Sequence, residues 1–252
     1  LPTTTPLPTT TPLPTTTPLT VSIVDEPGNT PLQTIPLTDG PETTEHSLKF
    51  AIQKCKETGL WTLPEYGGHI NNWDVSNVTN MTSMFANETN FNENISQWNV
   101  SNVKNMNSMF FSANNFNQNI GNWDVSKVTN MSYMFYQANN FNKDIGGWVV
   151  SNVENMSFMF YQANNFNQNI GNWNVSNVTN MHGMFNQANN FNKDIGGWNV
   201  SNVENMSSMF KQAHNFNQDI SQWNVSNVQN MNFMFYGALR FDQDLSGWCV
   251  EQ

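Results

Sequence analysis

WDVSNVTNMTSMF, residues 73–85, returns as WNVSNVKNMNSMF at residues 98–110 and then five more times along the chain. Tryptophan opens each copy, at positions 73, 98, 123, 148, 173, 198, 223 and 248, with no insertion or deletion between them. A fixed period of roughly 20–50 residues marks an array in which each copy packs on the next. In the first copy the apolar slots are Trp73, Val75, Val78, Met81, Met84, Phe85, Phe91 and Ile95, and the second adds Ala113. All 14 methionines fall in the two Met slots. Methionine that recurs in register at every copy reads as core rather than as an adaptable binding groove. The tryptophans Trp73, Trp98, Trp123, Trp148, Trp173, Trp198 and Trp223 are expected to form the spine of that core.

Two periodicities alternate inside each copy. IGNWDV, residues 120–125, places Ile120, Trp123 and Val125 so that its end alternates like a short strand. MSYMFYQA, residues 131–138, places Met131, Met134, Phe135 and Ala138 at helical spacing, which predicts a short helical segment. SNVTN between them is turn-forming. One copy cannot bury enough apolar surface against itself to offset the ordering of its backbone, so stability must come from stacking and grow with the number of copies.

Asparagine is present in every copy at Asn80, Asn105, Asn130, Asn155, Asn180, Asn205 and Asn230. A glycosylation or metal ladder is one reading. The other is structural: an inward ladder of amides bonded to turn backbone and to their counterparts in neighbouring copies, satisfying groups that corners leave unpaired. N-x-S/T sequons such as those at Asn87, Asn94 and Asn174 arise almost automatically from the repeat.

Composition narrows the function classes. Of 252 residues only 11% are charged, and the net charge is -10. Nine Lys and Arg in all argue against nucleic acid and against an anionic membrane surface, both of which are held by cations. No apolar run approaches the roughly 20 residues of a spanning helix, so membrane insertion is not expected. The chain starts at Leu1 rather than Met, which fits either a removed leader or a trimmed sequence and is a hint of export only. Two cysteines, Cys55 and Cys249, are too few for a disulfide scaffold.

Ahead of the array, residues 1–19 read LPTTTPLPTTTPLPTTTPL, a Pro/Thr arm whose default conformation is polyproline II. Its leucines would share one edge that could lie along a partner; a glycosylated spacer is the alternative. Residues 20–45 read as an extended linker. Residues 46–67 hold a predicted capping helix and its flank, the helix with Thr44 as its N-cap, Leu48, Ala51, Ile52 and Cys55 on its apolar face, and Gly59 as its stop. The array itself runs from 68 to 252.

Chemistry is sparse. The histidines His46, His69, His182 and His214 do not fall at metal-ligand spacing, and serines such as Ser76 and Ser101 are repeated turn residues without a partnered base. Asp144, Asp194, Asp219 and Asp244 could bind calcium between copies, but Asn94, Asn119 and Asn169 hold the same slot elsewhere. No catalytic residue, metal or cofactor is expected, and the chain does not read as an enzyme.

Variable slots are more informative, because they are free of packing duty. Ten and thirteen residues after the tryptophan stand Phe111, Tyr133, Tyr136, Phe158 and Tyr161, and later Phe233 and Tyr236. They predict an exposed aromatic stripe suited to an interface, with scattered exposed rings or rings under a covering loop as the alternative. The strand face, lined by residues such as Gly146, Gly147, Gly196 and Gly197, allows close backbone approach or a hydrogen-bonding sugar surface. With copies ~4.8 Å apart, the seven steps from Trp73 to Trp248 place Cys249 about 34 Å from the first copy, so Cys55 and Cys249 cannot bond within one straight stack. A disulfide between two molecules stacked head to tail is the sharper expectation, and unpaired thiols in a monomer the blander one.

The pattern W-x-V-S-N-V-T-N-M-S-x-M-F-x-x-A-x-x-F-N-x-D-I resembles the 25–26 residue repeat of bacterial surface proteins and lipoproteins, a domain family of unknown function, and looks like a relative of BspA-type leucine-rich repeats with Met and Phe replacing Ile and Leu. LKFAIQKC…YGGHINNWDV is similar to the segment that precedes such arrays in proteins of marine protists and large viruses. The resemblance covers 68–252 and, less closely, 46–67. It departs at Glu88, Arg240 and Asp242. It implies a leucine-rich-repeat-like repeat solenoid, with a short parallel β-strand and a short helical segment per 25-residue rung, displayed on a cell or virion surface and associated with adhesion. Two functions follow as expectations. One is a structural subunit of an extracellular fibre or array that self-associates through its ends, its aromatic stripe and its Pro/Thr arm. The other is an adhesin that binds a host glycan or protein through the solenoid face.

Overall fold

The computed structural model describes residues 35–248. The Pro/Thr arm, most of the expected linker and Cys249 lie outside the described residues.

Helix α1, Leu48–Thr58, forms where the apolar spacing places it, with Leu48, Ala51, Ile52 and Cys55 buried on one face. Its N-cap is Ser47, whose hydroxyl accepts from the Phe50 N–H at 3.0 Å. Thr44 instead closes the preceding turn, its carbonyl accepting from the Ser47 N–H. The later start follows from His46, whose left-handed φ of 72° interrupts any helix begun at Thr44. At the other end Gly59 takes a left-handed φ of 70° and returns its N–H to Cys55, as a C-terminal glycine does. A two-residue antiparallel pair follows, β1 (Thr62–Leu63) with β2 (Gly68–His69). This segment covers the first rung: Trp61 packs on Phe91 with ring centroids 4.7 Å apart, and Tyr66 on Trp73 at 5.8 Å. Asp39 completes the cover, its carboxylate accepting from the backbone N–H groups of Thr79 and Asn80. In inner rungs the Thr79 position donates to the preceding rung, as Lys104 does to the Thr79 carbonyl; Asp39 stands in for the rung that is not there.

From Trp73 onward each copy lies against the next. The N–H groups of Met81, Ser83 and Phe85 donate to the carbonyls of Asn105, Asn107 and Met109, all at 2.9 Å, and Asn87 donates to Phe111. The pattern recurs down to Gln212, which donates to Tyr236. Single-residue parallel bridges link Asn80 to Asn105 and so on to Asn230.

The expected helix and strand do not form. Over residues 131–138, the N–H groups of Met131, Tyr133, Phe135 and Gln137 leave the copy for carbonyls of the next one. The N–H groups between them close four-residue turns, as Met134 does on Met131 and Tyr136 on Tyr133. Tyr133 and Gln137 hold left-handed φ of 59° and 55°, which no α-helix accommodates. Met131, Met134, Phe135 and Ala138 still point inward, so the apolar pattern is met by a ribbon of turns as well as by a helix. In IGNWDV the Trp123 N–H closes a turn on Ile120, and inter-copy pairing falls at the asparagine bridges instead.

The core is a set of columns. Phe110 stacks on Phe135 at 5.6 Å and 8°, Phe116 on Phe141 at 5.9 Å, and Trp148 on Trp173 at 6.4 Å and 3°. The seven expected core tryptophans are buried. Each indole N–H from Trp98 onward donates to an isoleucine carbonyl of the preceding copy, as Trp148 does to Ile120 at 3.1 Å, so a large ring is buried with its one polar group satisfied. Gly146 marks the closest approach: a Cβ there would lie 2.4 Å from the Asn169 carbonyl oxygen. In the last described rung, the N–H groups of Met231, Phe233, Phe235 and Gly237 donate to no carbonyl among the described residues, and Phe233, Tyr236 and Leu239 are exposed.

Candidate functional site

The asparagines at positions 80, 105, 130, 155, 180, 205 and 230 do half of what the structural reading expects. Each Oδ1 accepts the backbone N–H two residues on, as Asn155 does from Ser157 at 2.9 Å and Asn180 from His182 at 3.0 Å. These are Asx turns, which Asn forms because its short amide reaches its own backbone. Their side chains make no bond to their counterparts in the next rung, and Asn80 is exposed rather than inward. Neighbouring rungs meet there through backbone bridges. Side-chain ladders exist at other slots, such as Asn164 to Asn139 at 2.7 Å and Gln162 to Gln187 at 2.6 Å.

The aromatic stripe is not a free surface over most of its length. Phe111 stacks on Tyr136 at 4.5 Å and Tyr136 on Tyr161 at 4.4 Å, while Tyr133 stacks on Phe158 at 5.0 Å. All five are half-buried, so their faces are spent on one another and mainly edges meet solvent. Burial, and then the neighbouring Tyr161, raise the Tyr136 hydroxyl above the usual tyrosine range. Gly183 and Asn186 interrupt the stripe; Phe158 lies over Gly183, where a Cβ would sit 2.5 Å from its ring. Phe233 and Tyr236 are the exposed members, with the Lys211 ammonium 5.8 and 5.7 Å from their rings.

Cys55 is fully buried on the inner face of α1, and burial pushes its thiol up to about 11. A disulfide from Cys55 to a second molecule therefore has no route to its sulfur, which corrects the head-to-tail disulfide expectation on the Cys55 side.

One serine does meet a histidine: Ser207 Oγ lies 2.5 Å from His182 Nδ1. It is not a nucleophile and base pair. The Ser207 hydroxyl donates to Asn205 Oδ1 at 2.7 Å, and His182 Nδ1 also faces the Ser207 carbonyl at 2.7 Å, so the ring nitrogen acts as a donor. Asn107 makes the same contact to Ser132 three rungs earlier in the array. Among the described residues, no group of three His, Cys, Asp or Glu side chains is placed to hold a metal ion. The aspartates weighed as a calcium ladder cap turns: Asp144 and Asp194 accept from Gly146 and Gly196 at 2.9 Å. The backbone and hydroxyl bonds from Ser221 and Ser246 hold the carboxyls of Asp219 and Asp244 below the usual range. No helix among the described residues is long and apolar enough to cross a membrane.

The feature that sequence reasoning passed over is an open trough of about 630 Å³ on the N-N-F-N side of the stack. Two parallel rows line it, Asn140, Asn165, Asn190 and Asn215 on one side and Asn117, Asn142, Asn167 and Asn192 on the other, with Arg240 at the C-terminal end. The rows arise because each rung presents two asparagines around a buried phenylalanine, such as Phe141 between Asn140 and Asn142. The signal was in the sequence as the replacement of Asn by Arg240 in an otherwise uniform slot, read there only as a terminal departure. A second groove of about 660 Å³ on the SNVTN side mixes Lys104 and Lys127 with Glu154 and threonines.

The model of a family described as "Mycoplasma protein of unknown function, DUF285" matches residues 47–172 and again 155–252. The two spans take in α1 and every rung, and the chain belongs to this bacterial repeat family. Neither the curated proteins nor the solved structures contain a match to the chain.

Proposed function

We propose that this chain is a non-enzymatic solenoid of stacked 25-residue rungs, related to the BspA-type leucine-rich repeats, that works at a cell or virion surface by binding along its side. The observation that carries the reading is the trough: a continuous run of side-chain amides, open to solvent and built from the same two slots of successive rungs. Repetition turns a weak single contact into an extended one, the way repeat proteins use their long faces. The same reading is supported by Asp144, Asp194 and Asp219, which cap turns on their own backbone, and by Ser207, which donates to the neighbouring Asn205.

A glycan array probed with the purified chain tests the proposal, with binding to extended saccharides expected. Absence of binding to any glycan would sink it. The second reading, a self-associating structural subunit, draws on exposed Phe233, Tyr236 and Leu239 at the last described rung. Sedimentation of the chain against concentration separates the two: association that a Phe233→Ser, Tyr236→Ser variant abolishes would favour the second.

A further inference from the structure

The trough is one-sided in its hydrogen bonding. Asn117, Asn142 and Asn167 each use Oδ1 to accept the backbone N–H of the asparagine one rung on, at 3.0–3.1 Å. That bond settles which way each amide points, because a flipped group would set N–H₂ against N–H. The Nδ2 groups of this row donate to no acceptor among the described residues, and they line the trough one rung apart. A row of fixed donors without acceptors is complementary to a ligand rich in oxygen acceptors.

Charge repeats at twice that interval. In the slot beside this row, Gln118, Gln168 and Gln218 lay Nε2 on the asparagine of the preceding rung at 2.8–3.1 Å. Glu93 and Gln243 hold that slot at the two ends, and Lys143 and Lys193 hold it in two inner rungs, beside the residues that line the trough rather than among them. Two rungs further on, Arg240 lines the trough itself. None of the three forms an ion pair among the described residues. Two rung spacings put Lys143 and Lys193 about 10 Å apart, close to the length of an extended disaccharide, with Arg240 further along on the other row. Asp144 and Asp194, next to the lysines in the chain, each commit one oxygen to a glycine N–H. With a net charge of -10 the molecule as a whole does not attract an anion from a distance, so recognition has to come from contact.

We infer that the trough binds a linear acidic polysaccharide carrying one carboxylate per disaccharide, its hydroxyls and ring oxygens on the asparagine row and its carboxylates on Lys143, Lys193 and Arg240. An acidic peptide fits less well, because the lining holds no aromatic or aliphatic side chain to anchor it. The inference rests on the side-binding reading above and narrows it to one ligand class.

The test is calorimetric titration of the full chain with a hyaluronan decasaccharide and, separately, with dextran of matched length. Hyaluronan is expected to bind at least about tenfold more tightly than dextran, and its affinity to fall with added salt. Lys193→Gln with Arg240→Gln is expected to lose about tenfold in hyaluronan affinity, the effect of removing charge partners that contact the ligand, with an unchanged thermal melt. Equal affinity for the two glycans, or a double variant that binds hyaluronan like the parent, overturns the inference. If only neutral glycans bind, the acidic ligand class is wrong and the side-binding reading stands; if neither binds and the array is blank, both fall.

Discussion

Gly146 and Gly147 are adjacent and differ in one respect that the stack decides. A Cβ on Gly146 would come 2.4 Å from the Asn169 carbonyl oxygen and 3.2 Å from Asp144 Oδ1, whereas a Cβ on Gly147 meets nothing within 4 Å. Neither has a left-handed φ, so backbone strain does not separate them. Gly147→Ala is expected to be neutral or to stabilise by about 0.4–1 kcal/mol, through the reduced freedom of the unfolded chain. Gly146→Ala must push a backbone carbonyl of the next rung back by most of an ångström, and overpacking of that kind costs about 1–3 kcal/mol. The predicted gap between the two variants is therefore about 1–4 kcal/mol, read as a shift in urea midpoint at constant slope. Gly196→Ala and Gly197→Ala repeat the comparison two rungs away, where the facing oxygen is that of Asp219, again at 2.4 Å. Serine at the same slot, as Ser96 and Ser221 near the two ends of the array, implies that outer rungs yield more easily than inner ones. A Gly146→Ala variant as stable as Gly147→Ala would refute the close stacking of these rungs.

Asn155→Ala removes the acceptor of the Ser157 N–H and should cost about 1 kcal/mol in the same assay. Val149 is exposed in the slot where Asn174 and Asn199 cap turns on Ser176 and Ser201, so Val149→Asn should raise stability by a few tenths of a kcal/mol or more. The hydroxyl and backbone bonds from Ser126 lower the Asp124 carboxyl. Its stabilisation is present above the unfolded carboxylate pKa and is lost as pH falls through the lowered folded value; Asp124→Asn should flatten that part of the acid limb in a pH series of melts. Cys55, buried with its thiol near 11, should stay unreactive toward a disulfide reagent at pH 8 and react at once in urea; rapid labelling of the native chain would contradict its place under α1.

The period and the inward set of side chains were legible in the sequence, because an apolar slot that never varies over seven copies has no other physical use. The local backbone was not. MSYMFYQA has helical spacing, yet Tyr133 and Gln137 sit in a left-handed region that neither residue prefers. Nothing in one copy signals this, since the compensation comes from N–H groups bonded to the next copy. The aromatic slots were found and their exposure misjudged for the same reason: Tyr136 is covered by Phe111 and Tyr161, residues 25 positions away on either side. The trough, too, exists only between copies.

By itself the sequence determined the repeat length, the buried columns of Trp, Val, Met and Phe, the apolar face and glycine stop of the capping helix, and the poverty of titratable chemistry, all properties of composition and spacing. Tertiary structure alone decided the hand of each turn residue, the capping of the first rung by Asp39, the burial of Cys55 and the joining of isolated asparagines into a groove. Those depend on what the neighbouring rung offers: a carbonyl, a ring face or an amide displaced by one strand spacing, which no single copy of the repeat contains.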